Sequence, residues 1–264
     1  MLTSLALSAN IVLRKPQLLA IALVAAAIVL GIFFLTADIL LDFIVSSLFL
    51  EIVPDTGFFE LPWHFYLLYS SHINILAVAL LAITTVFVWL GVFFSVFARD
   101  SLEREASMLN AAREAWGKTR TIIATVLFFF LIALLFFILL WWLVNATIPL
   151  GAIGIIFPII LLLTGFFLYI TLLFVIPIIA IEKATLKEAI QKSFGFAKKR
   201  FWHVVLLGIV VGLINAVILN GGEYVSRLIA DETIAFIVFA VFWAIAVSFV
   251  NLALPVYYLR KSGG

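Results

Sequence analysis

Cysteine is absent from the 264-residue chain. That excludes disulfides, zinc–thiolate sites and thiol catalysis, and it leaves the compartment open. Charge is scarce as well. Asp, Glu, Lys and Arg make up 11% of the residues, against about 25% in soluble proteins. With 66% apolar residues and a mean hydropathy of +1.32, a soluble globular domain is excluded. Charge is rarest inside the long apolar runs, where it would be costly and functional. Asp38 and Asp42 fall just past the first run, and Glu182 falls at the inner end of the fourth. A proton- or sodium-coupled pump built on buried carboxylates is therefore not expected. Glu182 reads as a solvated boundary residue, the other reading being a pair with Lys183 or a nearby basic end. No glycine-rich phosphate loop, nucleophile elbow or His-Glu-x-x-His motif occurs. The chain carries no recognisable catalytic, cofactor-binding or metal-binding set, and the expectation is a protein that is not an enzyme and needs no cofactor.

What the sequence does have is long apolar runs. Gln17 to Thr36 is about 20 residues, enough for a hydrocarbon core of about 30 Å. Five more follow: Ile73 to Ala98, Thr121 to Val144, Ile155 to Ile181, His203 to Leu219, and Thr233 to Leu254, the last extended past Pro255 to Tyr258. The first run has no clean small-residue cleavage site after it, so it reads as a retained helix. Asn220-Gly221-Gly222 is expected to end the fifth helix, as glycine commonly does. Between the first two runs, Asp38, Asp42, Glu51, Asp55 and Glu60 occur with no Lys or Arg, and Pro54, Gly57 and Pro62 mark turns. Apolar residues still dominate 39–50, which reads as a helical extension or as an amphipathic helix leaning on the membrane.

Polar segments precede the first, third and fifth runs. Leu2, Leu5, Ala6, Ala9 and Val12 share one helical face, ending at Arg14-Lys15-Pro16. Leu102, Ala106, Leu109, Ala112 and Trp116 share another, closed by Lys118 and Arg120. Leu186, Ala189, Ile190, Phe194 and Ala197 share the third, closed by Lys198-Lys199-Arg200 and then Phe201-Trp202. Thr185, three residues before Glu188, forms a capping box at the start of that third segment. Cations followed by aromatic rings suit the headgroup boundary, so each segment reads as a helix lying in the membrane surface. The alternative for 182–202 is an ordinary soluble loop helix, which the apolar flanks disfavour. Every Lys and Arg except Arg227 falls on the side of these segments, and the acidic residues Glu223, Asp231 and Glu232 join the earlier five on the other. Cytoplasmic loops are the ones enriched in Lys and Arg, so both termini are expected in the cytoplasm of a cell-membrane protein.

The expected architecture is thus all-α: six transmembrane helices as three hairpins, each preceded by a cytoplasmic amphipathic interfacial helix. It forms one integral membrane domain, 1–264, with possible repeats at 1–98, 99–181 and 182–264. Ala115-Trp116-Gly117 matches Ser193-Phe194-Gly195 in place, although any hairpin protein with basic inner loops would look similar.

Val175-Ile-Pro-Ile-Ile-Ala-Ile-Glu182, then Leu186-Lys-Glu-Ala-Ile-Gln-Lys-Ser193, then Lys198-Lys-Arg-Phe-Trp202 form a pattern. It resembles the family of polytopic proteins related to the membrane domain of glycerophosphoryl diester phosphodiesterase. The close match covers about 30 residues. Hydrolysis in proteins of that name belongs to a separate soluble domain, so the resemblance implies a membrane domain and no activity.

Two groups of residues stand out. Arg14, Lys15, Lys118, Arg120, Lys198, Lys199, Arg200 and Trp202 are candidates to face lipid headgroups. Gly208, Gly212 and Asn215 in the fifth run, with Ala244, Ser248 and Asn251 in the sixth, are candidates for helix packing or for lining a cavity. Small residues at steps of four let backbones approach, so the fifth and sixth helices are expected to pack along the Gly208–Gly212 and Ala240–Ala244–Ser248 stripes. His64 and His72 lie near Glu60 and Asp55, but the spacing matches no metal motif, and Trp63, Tyr66 and Tyr69 make an aromatic belt the better account. The expected partners are membrane lipids and other membrane proteins, with no nucleic acid. Function reads as a non-enzymatic scaffold or lipid-interacting assembly component. The alternative is a permease-like path for a small or amphipathic solute, with Pro158, Pro177 and Pro255 breaking helices around Asn215, Asn251 or Thr171.

Overall fold

A computed structural model describes residues 1–48, 61–103, 106–147, 154 and 156–262, with only the backbone described at 43–48, 61–69, 137, 141–142 and 144–147. Most of the described residues are helical, as a bilayer requires of any backbone that cannot hydrogen-bond water. The helices are α1 (Leu2–Arg14), α2 (Gln17–Leu48), α3 (Leu61–Glu103), α4 (Met108–Gly117), α5 (Thr119–Thr147), α6 (Ile156–Leu172), α7 (Val175–Glu182), α8 (Leu186–Lys199), α9 (Phe201–Arg227) and α10 (Glu232–Ser262). Among the described residues six spans are long and apolar enough to cross a membrane: α2, α3, α5, α6 with α7, α9 and α10. This is a multi-pass integral membrane protein. Between 17% and 28% of each spanning window is buried in the protein, so most of their apolar surface needs lipid to cover it. Glu51, Asp55 and Glu60, with the turn residues Pro54 and Gly57, lie outside the described residues.

Each pair of spans that follow one another without a polar segment packs together: α2 with α3, α5 with α6, and α9 with α10. α10 is the hub, packing also on α1, α2, α3 and α7. The core sits at the basic end. Buried there are Leu18 and Ala22 at the start of α2, Leu90 to Ala98 late in α3, Ile122 and Val126 early in α5, and Val204 and Leu207 early in α9. α10 is buried from Leu252 to Tyr258 apart from Leu254. Toward the opposite end large apolar side chains open outward, among them Phe34 and Leu35 on α2, Leu135 on α5, Leu163 on α6 and Val217 on α9. Lipid tails cover such surface at no cost.

Several boundaries differ from expectation. α2 runs twelve residues beyond Thr36, the helical-extension reading of 39–50, and α3 starts before Ile73. α9 passes straight through Asn220-Gly221-Gly222 to Arg227. Helix pairing overrides the glycine signal here, because a Cβ on Gly222 would stand 2.4 Å from Phe242 Cβ of α10. The glycines mark a close crossing and no helix end. The fourth span is broken at Leu173–Phe174. Pro177 is the third residue of α7 and has no N–H to give a preceding turn. Pro255, by contrast, lies within a continuous α10.

Candidate functional site at the basic end

Two polar networks tie the helices together at this end. In the first, Arg99 at the foot of α3 pairs with Glu114 on α4 at 2.8 Å and with Asp100 at 2.9 Å. Glu114 also meets Lys118 at 3.2 Å. Lys118 Nζ then donates to the carbonyls of Ala180, at 2.6 Å, and Ile179, at 3.3 Å. Those carbonyls belong to the last turn of α7, where a helix has no partners of its own for them. One lysine therefore joins the α4–α5 corner to the end of the fourth span. The bidentate bond from Arg99, working against partial burial, lowers the Glu114 carboxyl from 4.5 to about 2, with Lys118 adding to the effect. Burial lowers the Lys118 ammonium below the ordinary lysine range, against the pull of Glu114.

The second network closes around Glu182. Its carboxylate accepts from Lys192 of α8 and from the Tyr258 hydroxyl of α10. The turn between α7 and α8 has Lys183 in the left-handed region, φ 53°. The capping box of Thr185 and Glu188 follows at once. α8 folds back against α6 and α7, burying Ala189, Ser193, Phe196 and Ala197 and leaving Lys187, Gln191, Lys198 and Lys199 outside. Buried Ser193 donates to the Thr171 carbonyl at 2.6 Å, one turn before the break in the fourth span. Above it Phe174, Phe196, Tyr257 and Tyr258 form an aromatic cluster, with Phe174 and Phe196 at 4.8 Å between centroids.

The sequence-derived candidates divide. Arg14, Lys15, Arg120, Lys198, Lys199 and Trp202 are exposed, Trp202 at 78%. Lys118 is not a headgroup-facing residue: its side chain is 14% exposed and committed to the internal network. Arg200 is half-committed, stacked 4.8 Å over Phe196 and donating to the Lys261 carbonyl. The large apolar residues of the α4 face point outward, with Leu109 at 68% and Trp116 at 73% exposed, while small Ala111 and Ala115 pack inward. α1 is mixed, burying Ser4, Leu5, Ser8 and Val12 and exposing Leu2, Ala6 and Leu13. On α4 the buried pair, Ala111 and Ala115, lies off the face read from periodicity, because small residues let helices approach.

The glycine stripe is also redirected. A Cβ on Gly208 or Gly212 would meet nothing within 4 Å. Both line a groove of about 340 Å³ between α6, α9 and α10, together with Asn215. Ala244 and Ser248 are fully buried, and at steps of four they continue into Leu252 and Val256, which pack with α2 and α3 residues. Asn251 donates to the Val247 carbonyl and lies near Gly91 of α3. No hydrogen bond joins Asn215 to Asn251 among the described residues. Thr171 is buried, its hydroxyl donating to the Leu168 carbonyl.

Two further grooves open on the flanks. One of about 660 Å³ lies between α5, α6, α7 and α10, and one of about 620 Å³ lies between α2, α3 and the α4–α5 corner. Their walls are almost wholly apolar, Phe129, Phe166 and Leu172 in the first and Ile21, Trp89 and Trp116 in the second. Trp89 Nε1, Ser101 Oγ, Ser248 Oγ and Tyr257 OH are buried with no hydrogen-bond partner among the described residues. At the far end His72 Nε2 meets Asp42 Oδ2 at 3.0 Å, joining α3 to α2 by a hydrogen bond that sequence spacing did not reveal. The His64 side chain and Asp55 and Glu60 fall outside what is described, and no cluster of metal-ligating side chains occurs among the described residues.

Fold and site together define a class: a polytopic α-helical membrane protein, closed by ion pairs and aromatic packing at its basic end and grooved along its flanks. Compared with protein-family models, curated proteins and solved structures, the chain matches none of them.

Proposed function

We propose that this is a non-enzymatic membrane component that holds lipid in its lateral grooves and serves as a scaffold for other membrane proteins, its basic face turned to the cytoplasm. The observation that carries the reading is the pairing of apolar flank grooves with exposed cations and aromatics at one end. Trp116 belongs to the 620 Å³ groove and is itself 73% exposed. Arg120 and Lys198 to Trp202 ring the same end, with apolar surface beside them. Acyl chains fit such grooves, and anionic headgroups fit the cations. The bundle beneath is filled by Phe93, Phe94, Phe97 and Phe174, each at most 1% exposed. The family resemblance over 175–202 points the same way, toward a membrane domain without hydrolytic chemistry.

The permease reading rests on the broken fourth span beside the groove that contains Asn215. The absence of cysteine makes the two separable. Asn215→Cys in proteoliposomes is expected to resist a hydrophilic maleimide and to react with a lipid-soluble one. Rapid reaction with the hydrophilic reagent overturns the lipid-groove reading and favours an aqueous path.

A further inference from the structure

At the foot of α1 a small cavity of about 260 Å³ is lined by Asn10, Arg14 and Lys15 on one side and by Ser101, in the last turn of α3, on the other. Leu7 and Ile11 supply its apolar wall. Its charge sets it apart from the flank grooves. Arg99, Lys118 and Lys192 at this end of the bundle are spent on carboxylates. Arg14 and Lys15 are exposed and make no ion pair among the described residues. Among the described residues no carboxylate lines the cavity. Ser101 Oγ is buried with no hydrogen-bond partner among the described residues, a costly state for a hydroxyl that a ligand oxygen would relieve. The negative end of α1 and the positive end of α2 meet at Lys15–Gln17 and offset one another, so the field in the cavity is that of the two side chains. The volume is below that of common small-molecule sites and suits a headgroup. Leu13, between Ile11 and the cations, is 81% exposed and places the mouth at the boundary of an apolar phase.

We infer that this cavity binds the phosphate of an anionic lipid headgroup, with Arg14 and Lys15 donating to the phosphate oxygens and Ser101 and Asn10 completing the shell. The inference rests on the lipid-engaging reading above and adds to it a specific site and headgroup chemistry.

Native mass spectrometry of the full chain in a neutral detergent tests it, with short-chain phosphatidylglycerol, phosphatidylcholine and inorganic phosphate offered in separate arms. Phosphatidylglycerol is expected to bind best. Two charge-assisted contacts at about tenfold each make R14Q/K15Q roughly 100-fold weaker. A neutral micelle has no surface potential, so K198Q/K199Q is expected to stay within about twofold of the parent chain. S101A is expected to weaken binding about fivefold while leaving the lipid-free melting temperature equal or higher, because an unpaired hydroxyl has been removed. The inference is overturned if R14Q/K15Q binds phosphatidylglycerol like the parent, if phosphatidylcholine binds equally well, or if inorganic phosphate alone shows the Arg14/Lys15 dependence. In any of those outcomes, acyl-chain photocrosslinks at Trp116 that persist leave the groove reading standing. Their absence from the parent chain removes both.

Discussion

Replacing Glu114 by Gln tests whether the basic end holds the bundle together. The substitution keeps size and removes the charge that Arg99 and Lys118 share. A carboxyl held at about 2 against an ordinary 4.5 corresponds to roughly 3 kcal/mol of preference for the ionised form. With 26% of the side chain open to solvent, screening leaves about 2 kcal/mol. Arg99 would keep only Asp100 as a charged partner, and Lys118 would keep none, retaining the α7 carbonyls. For a chain of this size the loss lowers the melting temperature by about 5 °C. Seven tryptophans report the melt by intrinsic fluorescence in detergent. The sign with pH follows from the lowered carboxyl. Its contribution is complete above pH 4.5 and is lost as pH falls through about 2. The difference between the parent chain and E114Q should therefore be constant near neutrality and shrink steadily below pH 4.5. Arg113→Gln, on the exposed side of α4, serves as the control and should change little. If E114Q melts within about 0.5 kcal/mol of the parent, or if the difference does not shrink in acid, the network is ornamental and the argument from ion pairing fails.

Gly222→Ala is expected to cost about 1–3 kcal/mol, because its Cβ would lie 2.4 Å from Phe242 Cβ. Gly212→Ala, with nothing within 4 Å, should be neutral or stabilising by up to about 1 kcal/mol; thermal melts of the pair would contradict the α9–α10 packing if their order reversed. Tyr258→Phe removes the hydroxyl that Glu182 accepts from and should lower stability by about 1–2 kcal/mol. Glu182→Gln should do at least as much, and a double mutant showing simple additivity would mean the two side chains do not act together. A single cysteine at Lys199 should be modified by an impermeant maleimide only from the cytoplasmic side of oriented vesicles; labelling from the exterior would invert the proposed topology.

The spans and their number were legible because they depend on local composition. Twenty or so apolar residues in a row must be helical in lipid whatever surrounds them. Gathering of the cations at one end was legible for the same reason, since alternating loops alternate sides. The Thr185–Glu188 capping box needs only four consecutive residues, and it is present as read. Direction across a helix was not legible. Gly208 and Gly212 have the same spacing whether they face α10 or a groove, and only the crossing at Gly222 and Phe242 decides between these.

Lys118 looked like its exposed neighbour Arg120, because nothing in the local sequence announces that the carbonyls of Ile179 and Ala180 arrive beside it from some 60 residues away. Glu182 likewise acquired its partners from α8 and α10. The chain alone determined that this protein crosses the membrane and which end carries the positive charge, since hydropathy and charge order are properties of neighbours along the sequence. Tertiary structure decided which cations are spent internally and which remain free, because that depends on partners brought together from distant segments.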